Sequence, residues 1–294
     1  TQAFPEIFSS LSIEPVTGFT SELAEALAAL SGESKPLVVM ITRAGDHQSL
    51  FEETFLARRL GIPLVDPGDL LVRHNQLFVK TVGGLEKVDV IYRRTSSKGL
   101  DPIAFGDIGK NGVPGLLNCI RKGTVAVANA FGCGVADNRS LLCYSDEIIR
   151  FYLNESPILP TVPTYLCQDP DQAEYVRSQL DRMLLRPVQG YRLNERQGME
   201  KSNRSYLQRM EALLTAQPEN VVAQPFVDAS RSPRYHDGAF TPLPAYLRAF
   251  VLYGDSPRVL PGGLTRQAFS ENSPQYIADL AGGAKDTWVQ GEAI

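Results

Sequence analysis

Residues 37–65 carry a strand, helix and strand pattern: Leu37-Val-Val-Met-Ile41, then Ser49-Leu-Phe-Glu-Glu-Thr-Phe-Leu-Ala-Arg-Arg-Leu60, then Pro63-Leu-Val65. The two short apolar runs are typical of buried strands. The middle segment predicts a helix with Leu50, Phe51, Phe55, Leu56 and Leu60 on one side. Gly61 follows at the position where helices commonly end. Together these segments predict a βαβ unit, and such units form parallel sheets.

The pattern continues outward on both sides of this unit. Residues 19–31 predict a preceding helix, and Val88–Tyr92 predicts another strand that ends in Arg93 and Arg94. Leu70–Arg73 and Leu77–Lys80 predict a hairpin. The carboxyl end of a parallel strand is where α/β folds place functional loops, so the two arginines are candidate site residues.

The second half changes character. It predicts strands at Met183–Arg186, Val221–Val227, Leu247–Tyr253 and Arg258–Leu260, with a turn at Pro261-Gly262-Gly263. We therefore expect an α/β layer followed by a mainly antiparallel α+β layer. The expected domains are residues 1–160 and residues 161–294.

Composition excludes several classes of protein. The chain has 294 residues, 29 Lys and Arg against 33 Asp and Glu, and a net charge of −4, so it has no overall basic footprint for nucleic acid. Its apolar runs fall short of the ~20 residues of a membrane helix. Its four cysteines contain no Cys-x-x-Cys pair, which favours free thiols in a reducing cytoplasm. We expect a cytoplasmic protein that binds neither membrane nor nucleic acid.

Classical catalytic motifs are also missing from the sequence. It has no Walker A loop, no dinucleotide fingerprint and no nucleophile elbow. Arginines on predicted strands remain the best candidates, because a guanidinium holds carboxylate or phosphate oxygens in a bidentate fork and stays charged. The alternative for each is a structural ion pair or a solvated side chain. The pattern therefore indicates an anion-binding α/β protein and no particular reaction.

Several segments, in their order along the chain, resemble the circularly permuted ATP-grasp type 2 family, which is related to the synthetase half of glutathionylspermidine synthase. The matching segments are Phe51–Val65, Val88–Arg94, Gly112–Leu117, Val125–Val135, Leu159–Thr164, Val221–Gln224, Leu260–Arg266 and Lys285–Val289. The resemblance implies an ATP-grasp fold and a ligase that uses ATP and Mg²⁺ to activate a carboxylate as an acylphosphate, which an amine then attacks. Small-molecule or peptide carboxylates and amines are the implied partners.

The resemblance also implies roles for individual residues. Those implied to be catalytic are Arg94, Arg248 and Arg266. Those implied to bind the nucleotide are Arg186, Gln224, Phe226, Asn129 and Lys285.

The sequence departs from the family pattern in places that matter for this chemistry. The phosphate-binding lysine is replaced by Arg186, and the nucleotide hinge reads Gln224-Pro225, where proline cannot donate a backbone hydrogen bond. No Glu-x-Asn metal segment lies near Thr1, so the metal ligands stay unassigned. Because the chain lacks an initial Met, we expect a fragment, with a further domain possible outside it. A catalytically inactive module that binds nucleotide, peptide or protein is the alternative function.

Overall fold

The structure is a computed structural model, and it describes residues 5–42, 47–94, 97–106, 111–189, 204–254, 256–268 and 283–291. The helices in this part of the chain are α1 (Pro5–Ser10), α2 (Phe19–Ala28), α3 (His47–Leu60), α4 (Pro102–Phe105), α5 (Leu116–Arg121), α6 (Ser145–Leu153), α7 (Pro170–Ser178) and α8 (Arg204–Ala216). The strands are β1 (Val38–Ile41), β2 (Leu64–Val65), β3 (Leu70–Arg73), β4 (Gln76–Thr81), β5 (Gly84–Lys87), β6 (Val90–Arg93), β7 (Ala126–Ala128), β8 (Tyr165–Leu166), β9 (Met183–Pro187), β10 (Val221–Pro225), β11 (Arg231–His236), β12 (Ala239–Tyr253), β13 (Pro257–Gln267) and β14 (Gly283–Trp288).

The chain forms two units. Unit 1 comprises residues 1–134, 250–262 and 288–294, and unit 2 comprises residues 135–249 and 263–287. The expected division between residues 160 and 161 stays a prediction.

Unit 1 contains the parallel sheet that the βαβ pattern predicts. Its strand order is β2-β1-β6-β7, and all three pairings are parallel. The sheet alternates its side chains between two cores. Val38 and Met40 face α2 and α3, whereas Val39 and Ile41 face α5 and the meander β3-β4-β5. Because both faces are covered, β1 is apolar along its whole length.

The predicted apolar face of α3 is confirmed at Leu56 and Leu60, which pack in the core, and is wrong at the two phenylalanines. Phe51 is 80% exposed and Phe55 is 55% exposed, whereas Ala57 and Leu60 are buried together with Glu53. The spacing 53, 57, 60 follows one face of a helix, and this face packs on the sheet. A carboxylate therefore occupies a position on the buried stripe.

Unit 2 contains the antiparallel sheet β8-β10-β9 and most of the sheet β11-β12-β13-β14, in which β11 and β12 pair antiparallel. The parts of β12 and β13 within residues 250–262 belong to unit 1. The predicted turn at residues 261–263 is wrong, because β13 continues through it. The reason lies in the neighbouring strand. A Cβ on Gly263 would stand 2.6 Å from a methyl carbon of Leu247 and 2.9 Å from the carbonyl oxygen of Arg248, so glycine permits this close approach within the sheet.

Candidate functional site

One face of the three-stranded sheet in unit 2 carries the polar residues of interest. In the antiparallel pairing of β9 with β10, Arg186 lies opposite Val222 and Leu184 lies opposite Gln224. Directly opposed residues share a face, so Arg186 and Gln224 project to the same side. The residues that alternate with them along the two strands, such as Leu185, project to the other side and form a core with α7 and α8.

The four-stranded sheet of unit 2 is curved, so that its two edge strands contact each other across one face. The ammonium of Lys285, on edge strand β14, donates to Ser232 Oγ at 2.9 Å and to the carbonyl oxygen of Pro233 at 2.6 Å, both on the opposite edge strand β11. The Gln267 side chain also donates to the Ser232 carbonyl. Contact between the two edge strands makes this face concave, and Lys285 helps to close it.

A cavity of about 550 Å³ is lined by both sheets of unit 2 and by the connection from β10 to β11. The three-stranded sheet contributes Arg186 and Gln224, and the curled sheet contributes Ala245 and Leu247. Phe226 begins the connecting segment, which continues along the wall. Mostly apolar walls with a few convergent polar groups are typical of a small-molecule site, and this volume is in the usual range.

The backbone of the Gln224-Pro225 hinge, which lies on one side of this cavity, has little conformational freedom. Pro225 has no N–H, and the N–H of Phe226 donates to the carbonyl oxygen of Arg182 at 3.1 Å. Gln224 is buried, and its side-chain amide donates to Thr164 Oγ1 at 2.9 Å. The hydroxyl of Thr164 donates in turn to the carbonyl oxygen of Val162, at the cavity wall. This chain of hydrogen bonds fixes the orientation of the Gln224 amide.

Arg248 and Arg266 do not line this cavity. Arg248 is exposed on β12, and Arg266 is half-buried on β13. Within the described residues, the Nε of Arg266 is buried and has no hydrogen-bond partner. A buried N–H of a cation without an acceptor is costly, which makes Arg266 a candidate to meet an acceptor from a ligand.

The remaining two candidates belong to unit 1. Arg94 follows β6 and forms an ion pair with Glu52 at 3.2 Å. Asn129 follows β7 with a positive φ of 34°, and its side-chain amide donates to the carbonyl oxygen of Arg93 at 3.3 Å. Among the eight candidate residues, the structure thus brings Arg186, Gln224 and Phe226 into one cavity of unit 2.

Three residues at this site were not predicted: Asp228 and Leu247 line the cavity, and Thr164 accepts a hydrogen bond from the lining residue Gln224. Thr164, which positions Gln224, lies in the Leu159–Thr164 segment that matches the family, so the resemblance was the available signal. Asp228 and Leu247 carried no local signal, because their place at the cavity depends on how the sheets pack.

Across the described ranges, no group of three or more His, Cys, Asp or Glu side chains could hold a metal ion. Magnesium therefore has no assigned ligands. Of the helices that the structure describes, none has the length and apolar character needed to cross a bilayer.

Comparison with known proteins gives a family match over most of the chain. A family model described as circularly permuted ATP-grasp type 2 matches residues 1–268. An uncharacterized protein of Synechocystis sp. is 37% identical over 292 residues, which cover 97% of this chain and 60% of that protein. A putative glutamate–cysteine ligase of Frankia casuarinae is 35% identical over 97% of this chain and 33% of that protein.

A solved structure of D-alanyl-alanine synthetase A from Vibrio cholerae covers 89% of this chain and 76% of that one, with 9% identity and a TM-score of 0.44. The chain spans about three fifths of the length of the Synechocystis relative and one third of the Frankia relative.

Proposed function

The chain belongs to the circularly permuted ATP-grasp type 2 family, and from this premise we propose that it is part of an ATP-dependent carboxylate–amine ligase. In the proposed reaction ATP supplies a phosphoryl group that converts a carboxylate into an acylphosphate. An amine then displaces phosphate, so the products are an amide, ADP and inorganic phosphate. The name of the Frankia relative makes glutamate and cysteine the first substrates to test.

The observation that carries this proposal is the cavity of unit 2. Three residues to which the family resemblance gives a nucleotide-binding role, Arg186, Gln224 and Phe226, line it together. The apolar wall around Phe226 suits a purine ring, and the guanidinium of Arg186 suits phosphate oxygens. Arginine replaces the compact ammonium of lysine with a planar fork, so it would bind two oxygens at once.

The other candidates have supporting parts in this proposal. Lys285 holds the edges of the curled sheet together and so shapes the cavity wall. Arg94, Arg248 and Arg266 remain the proposed groups for charge on the reacting substrates. The residues that would hold Mg²⁺ are not assigned, and the cytoplasmic location stays a prediction.

Nucleotide binding is tested by thermal unfolding of the chain with increasing ATP and Mg²⁺. A ligand that binds only the folded state raises the unfolding midpoint with its concentration. The Arg186→Gln variant should bind ATP more weakly, by about tenfold or more, because a charge-assisted phosphate contact is lost. Arg182→Gln is the matched control, since Arg182 is exposed in the turn directly before the same strand. Equal ATP responses in both variants would contradict the proposal.

A non-catalytic binding module is the second candidate, and the hinge favours it. Neither Pro225 nor Phe226 offers a free backbone N–H to a base, because the first has none and the second donates to Arg182. ADP release with glutamate and cysteine separates the two functions. Turnover supports the ligase, whereas a saturable ATP-dependent midpoint shift without ADP release supports the binding module.

A further inference from the structure

Helix α6 of unit 2 carries an apolar stripe that is exposed. The stripe consists of Tyr144, directly before the helix, and of Ile148, Phe151 and Tyr152 within it. This spacing follows one face of an α-helix, and a surface helix normally packs such a face on the core. Here all four side chains are exposed, and none of the nine residues of α6, which the structure describes in full, is buried.

The segment that follows α6 adds two apolar side chains to this surface. Thr161 lies against the first turn of the helix, because its hydroxyl accepts a hydrogen bond from Ser145 Oγ at 3.1 Å and donates one to the carboxylate of Asp146 at 3.2 Å. The chain between the last turn of α6 and Thr161 therefore runs back along the helix. Ile158 and Leu159 lie on this returning segment, and both are exposed.

These six side chains form one surface, the α6 face: Tyr144, Ile148, Phe151, Tyr152, Ile158 and Leu159. Their exposed fractions lie between 39% and 91%. An aromatic side chain buries roughly 150–250 Å² when it is covered, so six large apolar residues at these exposures present several hundred Å². This surface exceeds the scattered apolar residues of an ordinary monomer and approaches the roughly 800 Å² that each partner contributes to a standard protein–protein interface.

The charges beside the α6 face have both signs. Glu147 and Arg150 are exposed, and with about 3.6 residues per turn both lie along the same border of the stripe. A helix that binds a membrane surface carries mainly Lys and Arg on its polar face, whereas α6 has two acidic residues in its first turn and Arg150 in its last. The mixed charges therefore favour a protein surface with the same mixture.

A second copy of α6 provides such a surface. In an interface with two-fold symmetry the same patch of each copy meets its counterpart. When two copies of α6 pack antiparallel, the same border of each helix meets, and Glu147 lies opposite Arg150 of the partner subunit. The α6 face is therefore complementary to itself in charge as well as in its apolar character.

We propose that the α6 face is the interface of a symmetric dimer, in which the partner is a second copy of this chain. Phe151 and Tyr152 are the central apolar groups, and the returning segment widens the contact. Two copies together would bury an area near the roughly 1,200–2,000 Å² of a stable interface. The inference does not depend on the proposed function, since none of the six side chains is among those that line the cavity of unit 2.

The oligomeric state of the 294-residue chain tests the proposal. Sedimentation equilibrium over a range of concentrations should give a mass that approaches twice the 32.3 kDa of one chain and falls on dilution. Phe151→Glu should raise the dimer dissociation constant by about tenfold or more, because a carboxylate would be buried without a partner. Phe51→Glu is the matched control, since Phe51 is about equally exposed on α3 of unit 1, and it should leave the dimer unchanged.

Exchange of the two border charges tests the antiparallel arrangement. Glu147→Arg and Arg150→Glu should each weaken the dimer by about threefold or more, since each substitution sets like charges opposite each other. When the two variants are mixed, opposite charges face each other at both ends of the helix pair. The mixture should therefore form a heterodimer that is tighter than the dimer of either variant alone.

A second apolar position keeps the test decisive if one variant does not fold. Ile158→Glu changes the returning segment and leaves the helix intact, and it should weaken the dimer as Phe151→Glu does. Because both positions are exposed, we expect both variants to keep the native fold, which far-ultraviolet circular dichroism checks.

A chain that stays monomeric at every concentration overturns the proposal. It would instead favour coverage of the α6 face by a further part of the protein, since the Synechocystis and Frankia relatives are longer than this chain. A dimer that tolerates both Phe151→Glu and Ile158→Glu also overturns it, because the interface then lies elsewhere. A mixture of the two charge variants that associates no more tightly than each variant alone contradicts the antiparallel pairing, and with it the proposed interface.

Discussion

The carboxylate of Asp101 accepts a hydrogen bond from the backbone N–H of Leu117 at 2.9 Å, although the two residues are sixteen positions apart. The same side chain, which is 1% exposed, also accepts from the N–H groups of Ile103 and Gly115. Asp101 thus caps α4 and supports the first turn of α5 at once. Three buried or partly buried backbone donors that would otherwise lack partners converge on one carboxylate.

Replacing Asp101 with Ala should lower the free energy of unfolding of unit 1 by about 3 kcal/mol. The cost exceeds that of an ordinary N-cap because several buried donors lose their acceptor together. Urea unfolding followed by the fluorescence of Trp288, the only tryptophan and a residue of unit 1, measures it. Asp169→Ala is the comparison, because Asp169 caps only α7. This variant should lose about 1 kcal/mol of unfolding free energy, as measured by urea unfolding followed by circular dichroism. A loss at Asp101 no larger than at Asp169 would contradict this account.

Gly112 lies directly against the segment that precedes Asp101. A Cβ at this position would overlap the carbonyl group of Leu100 and stand 2.7 Å from the carbonyl oxygen of Gly99. Gly112→Ala should therefore destabilise unit 1 by about 2 kcal/mol, because the backbone has to move apart. Gly134→Ala is the control, since a Cβ there meets nothing within 4 Å, and its effect should stay within about 0.5 kcal/mol. Chemical unfolding of both variants gives the comparison.

Elements with strong periodicity could be predicted from the sequence. The apolar run that became β1 and the hairpin of β3 and β4 both have clear signals, and both are present. The third strand of that meander, Gly84–Lys87, was not predicted, because all four residues are exposed and no apolar alternation marks it. Its structure depends on the ladder with β4, which is a non-local interaction.

The candidate site could be predicted only in part, and for a similar reason. The resemblance pointed to Arg186 and Gln224, but their shared face depends on the register of β9 with β10. Register depends on how the apolar patterns of two strands match across the pair, which the sequence of either strand does not show by itself. The burial of Glu53 was not predicted either, because Phe51 and Phe55 were expected to define the buried face of its helix and are in fact exposed.

Arg93 should be intolerant of replacement by Lys. Its guanidinium donates to the carbonyl oxygens of Asn129 and Ala130 and to Ser97 Oγ, and an ammonium cannot reproduce this fork. We expect Arg93→Lys to cost about 2 kcal/mol of stability. Hydrogen exchange should accelerate at the N–H of Cys133, which donates to the Ala130 carbonyl oxygen. Arg121→Lys, on the exposed side of α5, should change neither measurement, and a silent Arg93→Lys would argue against this bracing role.

Cys167 should make the stability of unit 2 depend on pH in the alkaline range. Burial raises the pKa of its thiol to about 11, while the nearby charge of Arg177 only partly opposes this effect. In the unfolded chain the thiol has its ordinary pKa of 9.0, so between these values the unfolded state ionises and the folded state does not. The stabilisation is complete below pH 9.0 and is lost as the pH rises toward about 11.

Because one pKa unit corresponds to about 1.4 kcal/mol, this loss should amount to about 3 kcal/mol. Urea unfolding of unit 2, followed by circular dichroism from pH 8 to pH 11, measures the slope of stability with pH. Cys167→Ala keeps a small buried side chain but removes the ionisation, so its stability should fall less steeply over the same range. Parallel slopes for the native chain and Cys167→Ala would mean that other groups account for any alkaline loss, and that the Cys167 thiol is not protected from ionisation by the fold.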